Sequence, residues 1–188
     1  AGMKRWMIVI GLAAAVPALA QTPWADEARG VAAAVPPKLL DVLKTEIDKG
    51  GPAGAIAVCN EQAPKMAQAA SQQSGWSVRR VSLRHRNPKA VPDAWERSVL
   101  EDFDRRAAAG EAPHTLERAE LVAEQGRSVQ RYMRALPVQE LCTACHGQAE
   151  QLDAAVKARL QQLYPDDRGT GYRVGQIRGA ITLSRPAP

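Results

Sequence analysis

The chain has 188 residues, of which 45% are hydrophobic, 24% charged and 4% aromatic, with a formal net charge of +5. Its length suits one domain with a real core and excludes two domains of ordinary size. The charge falls to +3 (23 basic against 20 acidic residues) without Lys4 and Arg5, and no run of Lys and Arg with interleaved aromatics occurs, which argues against nucleic acid as a partner.

The first 20 residues have the pattern of an export signal. Ala1 and Gly2 resemble a cloning scar, Lys4 and Arg5 form a basic start, an apolar run follows, and residues 18–20 form an A-x-A cleavage site. Because Gly11 and Pro17 interrupt the apolar run and no stop-transfer pattern follows, a retained membrane anchor is the weaker alternative. We expect a periplasmic protein that meets the membrane only through this signal.

The next segments predict a tether and then helices. Residues 21–37 are rich in small residues and proline and predict an N-terminal tether, with one domain over residues 38–188. A first helix after Lys38 ends at Gly50-Gly51. A second helical stripe contains Ile56, Cys59, Ala63, Met66 and Ala70, so Cys59 is expected to point inward. Pro64 is expected to kink or break this helix one turn after the cysteine.

The remaining pattern predicts a small antiparallel sheet flanked by helices, an α+β fold. The segment from Gly75 to Pro88 looks extended, and Asp93 is a candidate cap for a helix that Gly110 closes. Residues 115–138 predict two strands with a turn at 124–126. A helix follows up to Pro165, and residues 180–184 predict a last short strand after a glycine-rich loop.

The segment "CTACH", Cys142 to His146, has the spacing of c-type haem attachment. Two thiols three residues apart on a helical turn reach the two vinyl groups of one porphyrin, and the following imidazole becomes the proximal iron ligand. We expect one covalent haem c, with the second ring nitrogen of His146 donating to a backbone carbonyl. A disulfide oxidoreductase motif lacks the expected preceding βαβ pattern, and a structural zinc would have only His85 and His114 left as further histidines.

The second axial ligand of the iron is left open by the residues alone. Candidates are Met66, Met133, His85, His114 and Cys59. A cysteine in an apolar helix is commonly a small buried hydrophobe. An unpaired thiol in an oxidising compartment is nevertheless exposed to oxidation, and coordination to ferric iron would protect it.

The loop after Pro165 contains glycines at 169, 171, 175 and 179, which suit a backbone that passes close to a flat macrocycle. They do not form a nucleotide-binding GxGxxG after a strand. Arg84, Arg86, Arg173 and Arg178 are candidates to pair with haem propionates.

Four ordered segments, "AIAVCNEQAP", "VSLRHRNPKAVPDAWE", "CTACHG" and "YPDDRGTGYRVGQIRGAITL", resemble a family of monohaem c-type domains with a PAS-like fold. Its members include cyanobacterial periplasmic c-type cytochromes and sensor modules of histidine kinases. The resemblance spans Leu39 to Ser184 and implies an antiparallel sheet wrapped by helices, with haem against one face. It also implies His146 and Cys59 as the axial pair. Gln176 and Arg168 depart from the family pattern, which often has Asp and Ala there, but the ligands are unaffected.

The sequence therefore predicts a periplasmic haem c protein with histidine and cysteine thiolate ligands, acting in redox or small-ligand sensing. The alternative is a low-potential electron-transfer cytochrome. Expected partners are a small diatomic ligand or a redox partner protein. Enzymatic activity is not expected, because no His-Arg arrangement indicates the distal acid-base groups that haem catalysis needs.

Overall fold

The computed structural model describes residues 22–188, so the predicted cloning scar and export signal lie outside the described residues. Four α-helices and four strands follow one another: α1 Pro23–Ser74, β1 Ser77–Val81, α2 Ala94–Ala108, β2 Glu117–Glu124, β3 Arg127–Pro137, α3 Thr143–His146, α4 Ala154–Leu163 and β4 Ile177–Pro186. The strands form one antiparallel sheet in the order β1-β4-β3-β2. The predicted α+β class is confirmed. Within residues 22–188, no helix is long and apolar enough to cross a membrane.

The β2–β3 hairpin forms where the sequence predicted it. Glu117 pairs with Arg134 and Glu124 with Arg127, which leaves a two-residue turn. Both turn residues, Gln125 and Gly126, have positive φ, at 50° and 75°. Such turns match the right-handed twist of the flanking strands, so this short connection fixes the register.

Helix α1 agrees with the prediction at one expected irregularity and differs at the other. Its backbone is interrupted at Gly51, where φ is 72° and ψ is 178°, within the Gly50-Gly51 pair that was predicted to end the first helix. The predicted break at Pro64 is wrong, because Pro64 lies inside the continuing helix and Gly51 is the residue with non-helical angles. A proline removes one helical hydrogen bond, and here that loss does not end the helix.

The predicted tether over residues 21–37 is also wrong for its described part. From Pro23 onward it is the first half of α1, with Ala28, Ala32 and Val35 buried. These small residues pack against sheet residues that include Tyr132 and Ile181. Alanine favours helix and lets the helix approach the sheet closely, so low side-chain bulk here indicates tight packing and not looseness.

Helix α2 covers the other face of the sheet. Its start is a capping box: the Asp93 carboxylate accepts from the backbone N–H of Glu96, and the Glu96 carboxylate accepts from that of Asp93. Val99 and Phe103 pack against sheet residues of this face. Because neighbouring strand residues point to opposite faces, Tyr132 contacts the α1 layer and Met133 the α2 layer.

Candidate functional site

The "CTACH" segment forms a short helical turn between the sheet and α4. A 3₁₀ turn over Glu140–Cys142 leads into α3, Thr143–His146, and Gly147 ends it. A Cβ on Gly147 would lie 2.5 Å from the Thr143 carbonyl oxygen, so only glycine permits this exit. The local sequence thus keeps Cys142, Cys145 and His146 on one compact turn.

His146 is fixed by the loop that follows α4. Its Nδ1 lies 2.6 Å from the carbonyl oxygen of Gly169, which is the backbone bond predicted from the sequence. A carbonyl only accepts, so we assign the proton to Nδ1, although Nε of Arg178 also lies 3.1 Å from that atom. Burial, with the positive charges of Arg178 and Arg86, holds the pKa of His146 well below its usual range. The imidazole is therefore neutral at pH 7, and its Nε2 keeps a lone pair for a metal.

The structure brings the two ends of the predicted site together. Cys145 packs in the same apolar cluster as Ile56 of α1, and its Sγ lies 3.8 Å from the Pro52 carbonyl oxygen. Cys59 lies, like Pro52 and Ile56, on the part of α1 that follows the interruption at Gly51. All three cysteines of the described residues are free thiols.

The thiols also influence one another electrostatically. Burial raises the pKa of the Cys59 thiol, against the positive charges of Arg80, Arg86 and Arg178, and Cys142 adds to the increase. Burial likewise raises the pKa of Cys145 to about 11, with Arg86 opposing and Cys59 and Cys142 contributing. Cys59 thus shares one environment with the attachment motif.

Arg86 already has partners within the chain. Its buried guanidinium donates from Nε to Asp167 at 3.0 Å and from Nη2 to the Cys145 carbonyl at 2.6 Å. The carbonyl of Gly169, which fixes His146, lies 3.4 Å from the same Nη2. Arg86 therefore ties the motif to the loop that orients its histidine, and a role toward a propionate stays a prediction.

Arg178 is a buried arginine of the site, and no carboxylate among the described residues pairs with it. It donates to Ser82 Oγ at 2.8 Å and to the Arg84 carbonyl at 3.1 Å. Burial lowers its pKa to about 10, and Arg80 and Arg86 add to this while Tyr172 and Asp167 oppose it. A cation in such surroundings favours an anionic neighbour.

The other two predicted arginines lie at the border of the site. Arg84 stacks on Tyr172, 4.3 Å from the ring centroid, and donates to the Thr170 carbonyl. Arg173 is exposed and lines an open cleft beside Thr143 and Ala144. Arg80, whose charge acts on both Cys59 and His146, was missed by the sequence analysis. Arg80 follows Arg79 on β1, so the two side chains point to opposite faces of the sheet, and this alternation was the signal available in the sequence.

The remaining ligand candidates lie in different surroundings. Met133 is fully buried among α2-side residues that include Phe103 and Leu116, on the sheet face opposite α1. His114 is exposed on the turn before β2. His85 and Met66 are half-buried.

The glycines of the last loop serve the chain's own packing. A Cβ on Gly179 would overlap the Val81 carbonyl oxygen, so this glycine lets β1 and β4 approach. Gly171 and Gly175 have φ of 80° and 87° in turns. A Cβ on Gly169 would lie 2.7 Å from the Arg178 guanidinium. The predicted close approach to a macrocycle is not needed to explain them.

Comparisons with known proteins identify the family and the fold. The Tll0287-like family model, described as Tll0287, matches residues 15–186. The crystal structure of the cyanobacterial haem-protein Tll0287 is similar with a TM-score of 0.62 and 28% identity, over 86% of this chain and 96% of that chain. The comparison with curated proteins returns no match. The resemblance inferred from the four ordered segments is confirmed, and the chain belongs to the Tll0287-like family.

Proposed function

We propose that this chain is a periplasmic monohaem c protein that senses redox state or a small diatomic ligand. The observation that supports this best is the state of His146. Its Nδ1 is fixed by the Gly169 carbonyl, so Nε2 is available as a ligand beside the two thiols of the attachment motif. The similar solved structure is a haem-protein, and the shared fold extends the same expectation to this chain.

The residues present fit such a cofactor in two independent ways. Cys142 and Cys145 supply the two thiols of thioether attachment, and His146 supplies a neutral imidazole. Arg178 supplies positive charge with no carboxylate partner in residues 22–188, which suits a propionate. A haem c held by these residues would supply a redox-active iron.

Cys59 is the proposed second axial ligand. It is the residue of the early helix that shares its electrostatic surroundings with Cys142 and Cys145. As a thiolate, Cys59 stabilises ferric over ferrous iron and lowers the reduction potential. Release of Cys59 after proton uptake would free one axial position for CO, NO or a similar ligand, and this release is the proposed sensing event.

The PAS-like description and the periplasmic location belong to the same proposal. In the sheet order β1-β4-β3-β2 the first and last strands of the chain are neighbours, and this order supports a PAS-like sheet. The basic start and A-x-A site of residues 1–20 support export.

A low-potential electron carrier is the second candidate. It is favoured by the continuity of α1 through Pro64, because a helix that does not break beside Cys59 holds the thiol in place in both oxidation states. In that case the iron keeps both ligands and exchanges electrons with a partner protein.

Reduced protein distinguishes the two candidates. The chain is matured in bacteria that attach haem c, and its absorption is recorded oxidised, reduced, and reduced under CO. Sensing predicts that CO changes the reduced spectrum, whereas electron transfer predicts a six-coordinate reduced state whose spectrum CO does not change.

Mass spectrometry of the denatured protein tests haem attachment: wild type should retain one haem, and the double variant C142A/C145A should lose it. A wild-type mass without haem contradicts both candidates.

A further inference from the structure

The loop that follows α4 lies against the attachment turn and holds it through backbone hydrogen bonds. The N–H of Gly171 donates to the Gly147 carbonyl at 2.7 Å. The N–H of Tyr172 donates to the His146 carbonyl at 2.9 Å. The carbonyl of Gly169 accepts from His146 Nδ1 at 2.6 Å. The loop therefore determines both the backbone position and the ring orientation of His146.

Asp167 fixes the position of Gly169, the residue that accepts from His146. Its Oδ1 accepts from the backbone N–H of Gly169 at 2.7 Å, so the carboxylate closes a short turn to a residue two positions later. Gly169 is buried, with its N–H bonded to Asp167 and its carbonyl to the His146 ring. Because one residue makes both bonds, a change at the carboxylate is expected to move the acceptor of His146.

Arg86 in turn fixes the Asp167 carboxylate. Its Nε donates to Oδ1 at 3.0 Å and its Nη2 lies 3.0 Å from Oδ2, with the two side chains 9% and 10% exposed. The same Nη2 donates to the Cys145 carbonyl at 2.6 Å. Buried polar groups that satisfy one another in this way form a rigid network. The Asp167 carboxylate therefore has a fixed position relative to the attachment turn.

The missing side chain of Gly169 allows this arrangement. A Cβ at this position would lie 3.0 Å from Asp167 Oδ1 and 2.7 Å from Arg178 Nη2. Without it, the carboxylate reaches the backbone N–H while the guanidinium lies beside the His146 ring, its Nε 3.1 Å from Nδ1. The surroundings of the acceptor thus depend on where Asp167 stands.

We propose that Asp167 is a positioning residue for His146 and acts through Gly169. The inference rests on the proposed haem c function, in which Nε2 of His146 is an iron ligand. A metal-bound histidine is a stronger donor when its other ring nitrogen donates to a well-placed acceptor. A stronger imidazole donor stabilises ferric over ferrous iron, so Asp167 contributes to a low reduction potential.

Two readouts on the haem-loaded full chain test this role. The first is the rate at which the Nδ1 proton of His146 exchanges with D₂O, followed by proton NMR of the ferric protein. The second is the reduction potential from a spectroelectrochemical titration. Asp167→Ala should exchange this proton at least about tenfold faster than wild type, because the acceptor is no longer held in place. Its reduction potential should be more positive.

Asp167→Asn separates positioning from charge. Its amide oxygen still accepts from the Gly169 N–H, so the exchange rate should stay within about threefold of wild type although the ion pair with Arg86 is lost. Asp166→Ala, at the exposed neighbouring position, is the matched control and should equal wild type in both readouts. Gly169→Ala, whose Cβ meets Asp167 Oδ1, should change both readouts in the direction of Asp167→Ala, and it replaces that variant if Asp167→Ala does not fold.

The proposal is overturned if Asp167→Ala, folded by circular dichroism, keeps the wild-type exchange rate or the wild-type potential, or if Gly169→Ala does so in its place. It is equally overturned if Asp167→Asn exchanges as fast as Asp167→Ala, because the ion pair and not the Gly169 bond would then be responsible. A wild-type chain that holds no haem contradicts the proposed function instead, so the two failures are distinguishable.

Discussion

Replacing Asp167 by alanine should destabilise the protein strongly, because Arg86 would then be left buried without its counter-ion. The two side chains are 9% and 10% exposed and meet through two contacts of 3.0 Å each. Removing one partner of a buried ion pair costs about 3–5 kcal/mol. The carbonyls of Cys145 and Gly169 still accept from Arg86, which favours the lower end of that range.

Urea unfolding of the haem-loaded chain, followed by far-UV circular dichroism, measures this loss. Asp166→Ala is the matched control, because the neighbouring Asp166 is exposed, and its loss should change the free energy of unfolding by less than about 0.5 kcal/mol. If Asp167→Ala costs no more than this control, Arg86 does not depend on the pair and the described role of Asp167 is refuted.

Further predictions concern packing and pH. Gly179→Ala should destabilise the fold by more than about 1 kcal/mol, because the new Cβ overlaps the Val81 carbonyl oxygen. Gly30→Ala is the control: a Cβ at this position of α1 meets open space, so the variant should be more stable by about 0.5–1 kcal/mol. Equal effects of the two variants in thermal unfolding would contradict this expectation. Burial alone would raise the pKa of Glu117, but hydrogen bonds led by that from Arg29 lower it. Glu117 therefore adds stability that is present above its unfolded pKa of about 4.3 and lost as pH falls below it. Glu117→Gln should cost about 1–2 kcal/mol at pH 7 and progressively less below about pH 4, and a cost independent of pH would argue against docking of α1 by this pair.

Local sequence signals predicted much of the fold because their causes are local. The β2–β3 hairpin follows from alternation and from a glycine in a two-residue turn. The start of α2 was predicted from Asp93, and in the structure Glu96 completes the capping box three residues later. Gly51 likewise interrupts α1 close to where a Gly-Gly pair indicated an end.

Features that depend on distant partners were missed or misjudged. The first half of α1 looked like a tether because alanine gives no periodic signal, and only the sheet shows why small residues are needed there. Pro64 was expected to break a helix whose packing keeps it continuous. Neither the packing role of these small residues nor the continuity of α1 through Pro64 can be predicted from the local sequence alone.

The candidate site divides in the same way. The attachment turn and the need of His146 for a backbone acceptor were predictable from "CTACH", but the acceptor Gly169 lies beyond α4. Arg86 was expected to face a propionate, yet the structure pairs it with Asp167, which is remote in sequence.

The most direct test of the account is the electron paramagnetic resonance spectrum of the oxidised, haem-loaded chain with and without Cys59. Wild type should show a low-spin ferric signal of the thiolate-ligated type, Cys59→Ala should lose it, and Met66→Ala should retain it. A Cys59→Ala spectrum identical to wild type would show that another residue holds the second axial position, and the proposed His146–Cys59 pair would be wrong.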